Sequence, residues 1–366
     1  MSKVKILHVM WNMVVGGAER AVYQLIRAQR SDGHQSSVLI CTDLGMYGNK
    51  LKESGVDVHV LGMRHALDFS ASRRFRETLR AFDIVHFHSC EPYVMYLAAR
   101  MKGPRLFYTH RGAILKYPAK QTLRYKLCGH LIRRHFDGVS GNTHSGAMAA
   151  ARLFALPPER VATTYNGLDF SLLEPKRNAD HVLAELNLSK SKLFIGTSAN
   201  FKESKRIDEL IRALAQLQRD RFTCLLIGDG PERSRLEELT KQLNLESNIV
   251  FCGMKSHIGD YLQILDIFVL PAFLESFGNS AVEAMAMGLP TIVMEDGGGT
   301  VEHIVDGRTG FIAKDFRDLA HKLEQLADNV DLRRFMGEAG RRSVTEKYTT
   351  SRMLESYREL YGEVSA

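Results

Sequence analysis

Two carboxylates, Glu275 and Glu283, lie eight residues apart in the run Leu274-Glu-Ser-Phe-Gly-Asn-Ser-Ala-Val-Glu-Ala-Met285. An apolar stretch at 266–270 and Pro271 come before it. The pattern therefore reads as a strand, a turn at Phe277-Gly278, and a helix capped by Asn279 or Ser280. The first N–H groups of such a helix lack intrahelical partners and point back toward the strand end. Glu275 then lies on the loop and Glu283 about one turn inside the helix. Such a pair can hold hydroxyl groups of a sugar and a ribose. An ordinary surface pair is the plainer alternative. A second run, Ser198-Ala-Asn-Phe-Lys-Glu-Ser-Lys-Arg206, follows a strand and opens a helix. It brings Asn200, Lys202, Lys205 and Arg206 to a positive helix end, which suits a diphosphate. Gly228-Asp-Gly-Pro231 follows another strand, with Pro231 suited to a first helical turn, and Phe251-Cys-Gly-Met254-Lys255 follows a third.

The first half has weaker signals. Gly16-Gly17 sits between a first strand and a helix, where glycines let backbone N–H groups approach an anion. A tight turn is the alternative, and no GxGxxG fingerprint is present. His110 ends the apolar stretch 106–109, which aims it into a cleft, although with fourteen histidines any one is more often structural. Asn166-Gly167-Leu168-Asp169 is first a turn signal.

These groups need elements to position them. Short apolar runs recur at 5–10, 37–41, 56–61, 84–88, 106–109, 138–140 and 161–165. They recur again at 193–197, 222–227, 248–252, 266–270 and 290–294. Helix-length segments lie between them, as at 19–33, 120–135, 207–219, 232–243, 280–287 and 319–329, which predicts parallel strands with crossover helices. Residues 169–191 break the pattern and read as a linker. The expected fold class is α/β, with two doubly wound domains facing across a cleft. Ligands in such sheets bind outside the carboxyl ends of the strands.

The 366 residues suit about two domains, and 45% apolar with 25% charged composition is ordinary for a globular chain. No uncharged apolar run reaches the roughly 18–20 residues of a membrane span, and the start reads as a strand rather than a signal peptide. The five cysteines are scattered, with no CxxC pair, so buried thiols in a reducing cytoplasm are expected rather than disulfides or zinc. The net charge of +7 is uneven. Residues 1–170 hold 24 basic and 12 acidic side chains (+12), and residues 171–366 hold 25 and 30 (−5). One half is therefore expected to face something anionic. No nucleic-acid recognition motif supports that class of partner.

At these motifs the chain resembles the GT-B glycosyltransferases of the retaining family 4 type, over nearly its whole length. The ordered matches are Gly16-Gly17-Ala-Glu-Arg20, Thr109-His110, Asn166-Gly167-Leu-Asp169, Gly228-Asp-Gly-Pro231, Glu275 to Glu283 and Gly298-Gly299 to Glu302. The resemblance implies a GT-B fold of two Rossmann-like domains. An acceptor-binding domain would span 1–172, with a last helix at 351–366 crossing back, and a donor-binding domain would span 173–350. It implies that Glu283 binds ribose hydroxyls of a nucleotide diphosphate sugar and that Glu275 contacts the transferred sugar. The backbone of Phe277, Gly278, Asn279 and Ser280 would face the sugar and phosphates. Lys205 would bind the diphosphate, Gly16 and Gly17 would lie beside the phosphates and acceptor, and His110 would contact the donor sugar. Met254 and Lys255 would seat the base, and Asn166 and Gly228 would complete the donor set. The family usually carries Arg where Asn200 stands and Gly where Arg206 stands, so Arg206 or Lys202 is expected to supply the second cation. This Asn-Phe to Lys-Arg loop resembles that of the glucosaminyl-malate synthases of the family. Their first glycine loop differs, so their substrate is not carried over.

The implied activity is retaining hexosyl transfer from a UDP- or GDP-linked donor to a glycan or lipid-linked acceptor, in capsule, O-antigen, lipopolysaccharide or exopolysaccharide synthesis. No Asp-x-Asp pair occurs. Lys205, Arg206 and helix termini are therefore expected to replace a metal, and no cofactor is expected. A nucleotide-sugar epimerase or hydrolase, or a non-catalytic nucleotide-sugar-binding protein, are the competing readings. The basic surplus at 64–80 and 111–134, interleaved with Leu115, Tyr117, Leu123, Tyr125, Leu127, Leu131 and Ile132, predicts a cytoplasmic enzyme docked peripherally on an anionic membrane face.

Overall fold

The computed structural model describes residues 4–14, 16–65, 67–89, 91–112 and 119–362. Val15, Cys90, Leu115, Lys116, Tyr117 and the end of the predicted last helix lie outside them. The chain forms two compact units. Unit 1 comprises Met1–Leu168 with Tyr348–Ala366, and unit 2 comprises Asp169–Lys347.

Unit 1 runs β1 (Lys5–Met10), α1 (Gly17–Ser31), β2 (Gln35–Ile40), α2 (Gly45–Glu53), β3 (Val58–Val60), α3 (Ser72–Leu79), β4 (Ile84–Phe87) and α4 (Pro92–Ala99). It continues with β5 (Arg105–His110), α5 (Ala119–His135), β6 (Gly138–Gly141), α6 (His144–Phe154) and β7 (Val161–Thr163). The strands form a seven-stranded sheet in the order β3-β2-β1-β4-β5-β6-β7. Every pairing is parallel. Both faces are buried, which is why the strands read as unbroken apolar runs. Leu7, Val9, Val85, Phe87 and Tyr108 pack one face against Phe75, Met95, Ile132 and Phe154. Ile6, Ile84 and Phe107 pack the other against Met353, Tyr357 and Tyr361.

Unit 2 runs α7 (Ala179–Glu185), β8 (Leu193–Ser198), α8 (Ile207–Leu214), β9 (Phe222–Ile227), α9 (Arg233–Gln242), β10 (Ile249–Gly253), α10 (Gly259–Leu262) and β11 (Ile267–Leu270). Then come α11 (Asn279–Ala286), β12 (Thr291–Met294), β13 (Gly310–Ala313), α12 (Phe316–Asp328) and α13 (Val330–Lys347). Its six parallel strands are ordered β10-β9-β8-β11-β12-β13. Ile195, Val269 and Ile292 of the sheet meet Leu210, Leu214, Leu319, Leu323 and Met336 in the core. The chain closes with α14 (Thr350–Tyr361), which belongs to unit 1 and ends on the left-handed Gly362.

The α/β fold class is as expected, but some elements differ from the sequence reading. The segment read as a linker contains α7, capped by the Asn178 side chain on the His181 N–H. Residues 330–347 form the long α13 and Gly310–Ala313 form β13, neither of which the apolar periodicity predicts. The cap of α11 is neither Asn279 nor Ser280. Gly278 occupies that place at φ 77°, and a Cβ there would lie 2.4 Å from Thr300 Cγ2, so only glycine fits the turn. Pro231 precedes the cap of α9 rather than lying in its first turn.

Candidate active site

In each sheet the central strands end at loops that carry the polar residues of interest. In unit 2, Lys205 closes a 3-10 turn after β8 and its Nζ forms an ion pair with Glu275 Oε2 on the loop after β11. These loops are sewn together through the backbone. The Phe273 N–H donates to the Ser204 carbonyl at 2.8 Å, Leu274 to Asp296 at 3.0 Å, and Glu275 to Gly297 at 3.0 Å. Gly299 donates back to the Glu275 carbonyl at 2.8 Å. Two non-glycine residues at these junctions are left-handed, Arg206 at φ 45° and Leu274 at φ 46°. That conformation costs roughly 1–2 kcal/mol per residue and gathers at functional sites.

Arg206 is engaged by neighbouring loops. Its Nη1 lies 2.8 Å from Asp296 Oδ2, and its guanidinium carbon stacks 4.4 Å from the Phe273 ring centre. The loop residue Phe277 packs against His303, whose Nε2–H donates to the Phe277 carbonyl at 2.6 Å. Burial holds that imidazole neutral, with its pKa down at about 4. Beyond the turn, α11 begins at Asn279, and Glu283 is buried at its second turn. Gly278, Asn279, Ser280 and Glu283 thus follow Glu275 on one loop–helix entry.

Asn200 is half-buried on the loop after β8, and its Oδ1, shielded from solvent, has no hydrogen-bond partner among the described residues. Thr197 Oγ1, on β8 itself, is in the same state. Gly228, at φ 137°, lets the end of β9 touch this loop, since a Cβ there would lie 1.8 Å from the Ala199 carbonyl oxygen. Met254 is exposed beyond β10. Lys255 is engaged elsewhere, with Nζ 2.7 Å from Glu185 Oε1 and 4.8 Å over the Tyr261 ring.

In unit 1, Gly16 caps α1 in an extended conformation and Gly17 is its first helical residue. His110 ends β5 and is buried. Its Nδ1 lies 3.2 Å from the Tyr108 hydroxyl, and its Nε2 has no partner among the described residues. Burial lowers its pKa to about 4. Asn12 Oδ1 and Ser89 Oγ, just beyond β1 and β4, are also buried without partners among the described residues. A buried polar atom left unpaired costs about 1–3 kcal/mol, so a cluster of them at three adjacent strand ends marks a place where a ligand can repay that cost.

Asn166 occupies a different setting. Its Oδ1 accepts from Arg111 Nη1 at 2.9 Å, and Arg111 also donates to the Tyr357 hydroxyl at 3.0 Å and to His88 Nδ1 at 3.2 Å. Arg111 cannot accept, so the whole proton order follows. His88 Nε2–H donates to His8 Nδ1 at 2.9 Å, and His8 Nε2–H donates to Gln29 Oε1 at 2.7 Å. His8, His86 and His88 bring their ring nitrogens within 4.8 Å of one another. Their rings are stacked, however, and each ring nitrogen already has a partner. Stacked rings do not converge their lone pairs on one point, so the trio is a hydrogen-bonded core rather than a metal centre. The described cysteines, Cys41, Cys128, Cys224 and Cys252, carry free thiols.

Two parallel-sheet Rossmann-like units with ligand-ready loops at the carboxyl ends of their strands define the GT-B class. Comparisons place the chain within it. The family described as "Glycosyltransferase Family 4" matches residues 15–172, and "Glycosyl transferases group 1" matches residues 180–343. N-acetyl-alpha-D-glucosaminyl L-malate synthase of Bacillus anthracis is 30% identical over 293 residues, covering 77% of this chain and 75% of that protein. The putative glycosyltransferase EpsF of Bacillus subtilis is 29% identical over 86% of this chain and 84% of that protein. Among solved structures, Anabaena HepE in complex with UDP and glucose superposes with a TM-score of 0.85 at 19% identity, over 99% of this chain and all of that one. The chain belongs to the GT-B glycosyltransferases of family 4 type, and it is a glycosyltransferase.

Sequence reasoning did not single out Phe273, Asp296, His303 or Arg111. Glu302 beside His303 closes a recognisable glycine run, but an isolated Asp after a strand or a His inside a turn carries no pattern of its own.

Proposed function

We propose that the protein moves a hexose from a UDP- or GDP-linked donor to a hydroxyl of a glycan or lipid-linked acceptor, with retention of anomeric configuration and without a metal ion. The observation that carries the reading is the Lys205–Glu275 pair at the entry to α11, with Glu283 buried one turn further on. In this reading unit 2 binds the donor and unit 1 the acceptor. Glu283 accepts hydrogen bonds from the ribose hydroxyls. Glu275 holds the hexose, and Lys205 turns from Glu275 to the diphosphate as charge develops there. The N–H groups at the start of α11 add a positive helix end. Arg206, paired with Asp296 and stacked on Phe273, is assigned to holding these loops together rather than to the diphosphate. Asn166 is likewise occupied by Arg111 and serves the fold of unit 1.

The acceptor oxygen bonds to the anomeric carbon on the face from which the diphosphate departs. The anomeric carbon–oxygen bond to phosphate breaks, and the acceptor proton passes to that leaving oxygen. His110, neutral at pH 7, offers Nε2 to a hydroxyl of the hexose. HepE was crystallised with UDP and glucose, which supports a nucleotide-sugar donor, and the pathway we propose is a polysaccharide one such as capsule, O-antigen or exopolysaccharide synthesis. The test is calorimetric titration of donor. Glu283→Ala should weaken binding at least tenfold, about 1.4 kcal/mol, and full affinity in that variant contradicts the ribose role.

A further inference from the structure

We infer that Arg206, Asp296 and Phe273 form a clasp that positions Lys205 and Glu275, so that Arg206 acts on the reaction through its neighbours. The inference rests on the donor-site reading of Lys205 and Glu275 given above. Arg206 holds a left-handed backbone where glycine would sit without strain, yet the position carries a long charged side chain. That side chain spans three loops. It starts on the loop after β8, pairs with Asp296 after β12 at 2.8 Å, and lies 4.4 Å over Phe273 after β11. The same three loops exchange backbone hydrogen bonds at Ser204, Phe273, Leu274, Glu275, Asp296 and Gly297. Lys205 and Glu275 are the immediate neighbours of this weave and pair with each other.

A lysine ammonium on a four-carbon stem is a mobile point charge. Its usefulness at a diphosphate depends on a backbone that does not drift. Here the adjoining residue is anchored by a charge pair and a ring on two separate loops. The stacking also removes Arg206 from competition for the phosphate. The cations left for a diphosphate at this loop are Lys205 and Lys202.

The test uses the full chain with Arg206→Gly, Asp296→Asn and Arg206→Lys. Four quantities are read: the rate at which Lys205 is reductively methylated (by peptide mass spectrometry), kcat, donor KM and the thermal midpoint. A clasp predicts that methylation of Lys205 rises several-fold in Arg206→Gly and Asp296→Asn. It predicts that kcat falls about tenfold with donor KM within twofold, since small misplacements weaken catalysis more than binding. Arg206→Gly should keep or raise the thermal midpoint because the left-handed strain is relieved, so lost activity there is not lost folding. Arg206→Lys, which keeps the charge on Asp296, should recover part of kcat. Unchanged Lys205 methylation in Asp296→Asn overturns the clasp. So does a tenfold rise in donor KM confined to Arg206→Gly, because Arg206 would then touch the diphosphate itself. If methylation responds as predicted while the wild-type chain binds no nucleoside diphosphate, the clasp stands and the donor-site reading falls.

Discussion

His110 shows how burial sets a residue's chemistry. Its imidazole is fully enclosed and its pKa is lowered to about 4, so it is neutral across the physiological range. A neutral ring whose Nε2 has no partner among the described residues can hydrogen-bond a sugar hydroxyl but cannot serve as a cation for phosphate. His110→Ala should lower kcat by roughly a hundredfold, in the range seen when one transition-state hydrogen-bonding group is removed. The wild-type kcat/KM should stay flat between pH 6 and 8, with no inflection from this histidine. An inflection near pH 6.5 that vanishes in His110→Ala would show that the ring titrates normally. The places of Glu275, Glu283, Lys205 and His110 in the fold were legible in the sequence because each closes or follows an apolar strand within a recognisable run. Phe273 and Asp296 were not, since their partner Arg206 is remote in the chain and only the fold brings the three loops together.

At the level of elements, α14 is fastened to the unit 1 sheet by a polar network inside an apolar frame. The Tyr361 hydroxyl lies 2.7 Å from His86 Nδ1, and Tyr357 receives a hydrogen bond from Arg111. The pKa of His8 is lowered to about 4, and those of His86 and His88 lie well below the usual value, because burial and the nearby Arg111 oppose protonation. The unfolded chain takes up these protons near pH 6.5, whereas the folded chain resists them. Stability is therefore complete above about pH 6.5 and is lost as the pH falls toward 4, on the order of 3 kcal/mol for His8 alone. An added proton on His8 Nδ1 would also face the His88 N–H that it now accepts. Urea unfolding at pH 7.5, 6 and 5 checks this: the midpoint should fall with pH, and His8→Asn should flatten the slope. A midpoint independent of pH over that range would remove the network from the account. The periodic apolar residues of α14 were visible in the sequence. Its docking was not, because His8, His86 and His88 each look like isolated histidines in separate strands. The element α13 was missed because its helix carries many charged residues and few regularly spaced apolar ones.

At the scale of the molecule, the two-unit plan was legible because the strand–helix alternation occurs twice. The charge split of the sequence also has a structural counterpart. On unit 1, Ile132 of α5 is buried in the core and Tyr125 and Leu131 pack against it, so they do not join the expected apolar face, but Leu123 and Leu127 are 60% and 51% exposed, one helical turn apart, beside the exposed Lys126, His130 and Arg134. Phe69, 71% exposed, lies just ahead of α3 and packs edge-on against Tyr93 of α4. No helix among the described residues is long and apolar enough to cross a membrane. An exposed apolar pair with a cationic stripe suits a protein lying on an anionic bilayer. Sedimentation with vesicles containing phosphatidylglycerol should carry the protein down at low salt and release it at high salt, and Leu123→Ser with Leu127→Ser should weaken recovery several-fold. Equal amounts in every supernatant would rule out this surface as a docking face.

The central claim, metal-free transfer from a nucleotide diphosphate sugar, is tested most directly by release of nucleoside diphosphate from a panel of UDP- and GDP-linked hexoses, with and without EDTA. One donor should be turned over at a rate that EDTA does not change, and Glu275→Ala should reduce that rate by at least a hundredfold. Release that requires an added divalent ion, or no release from any donor despite nucleotide binding, would contradict it.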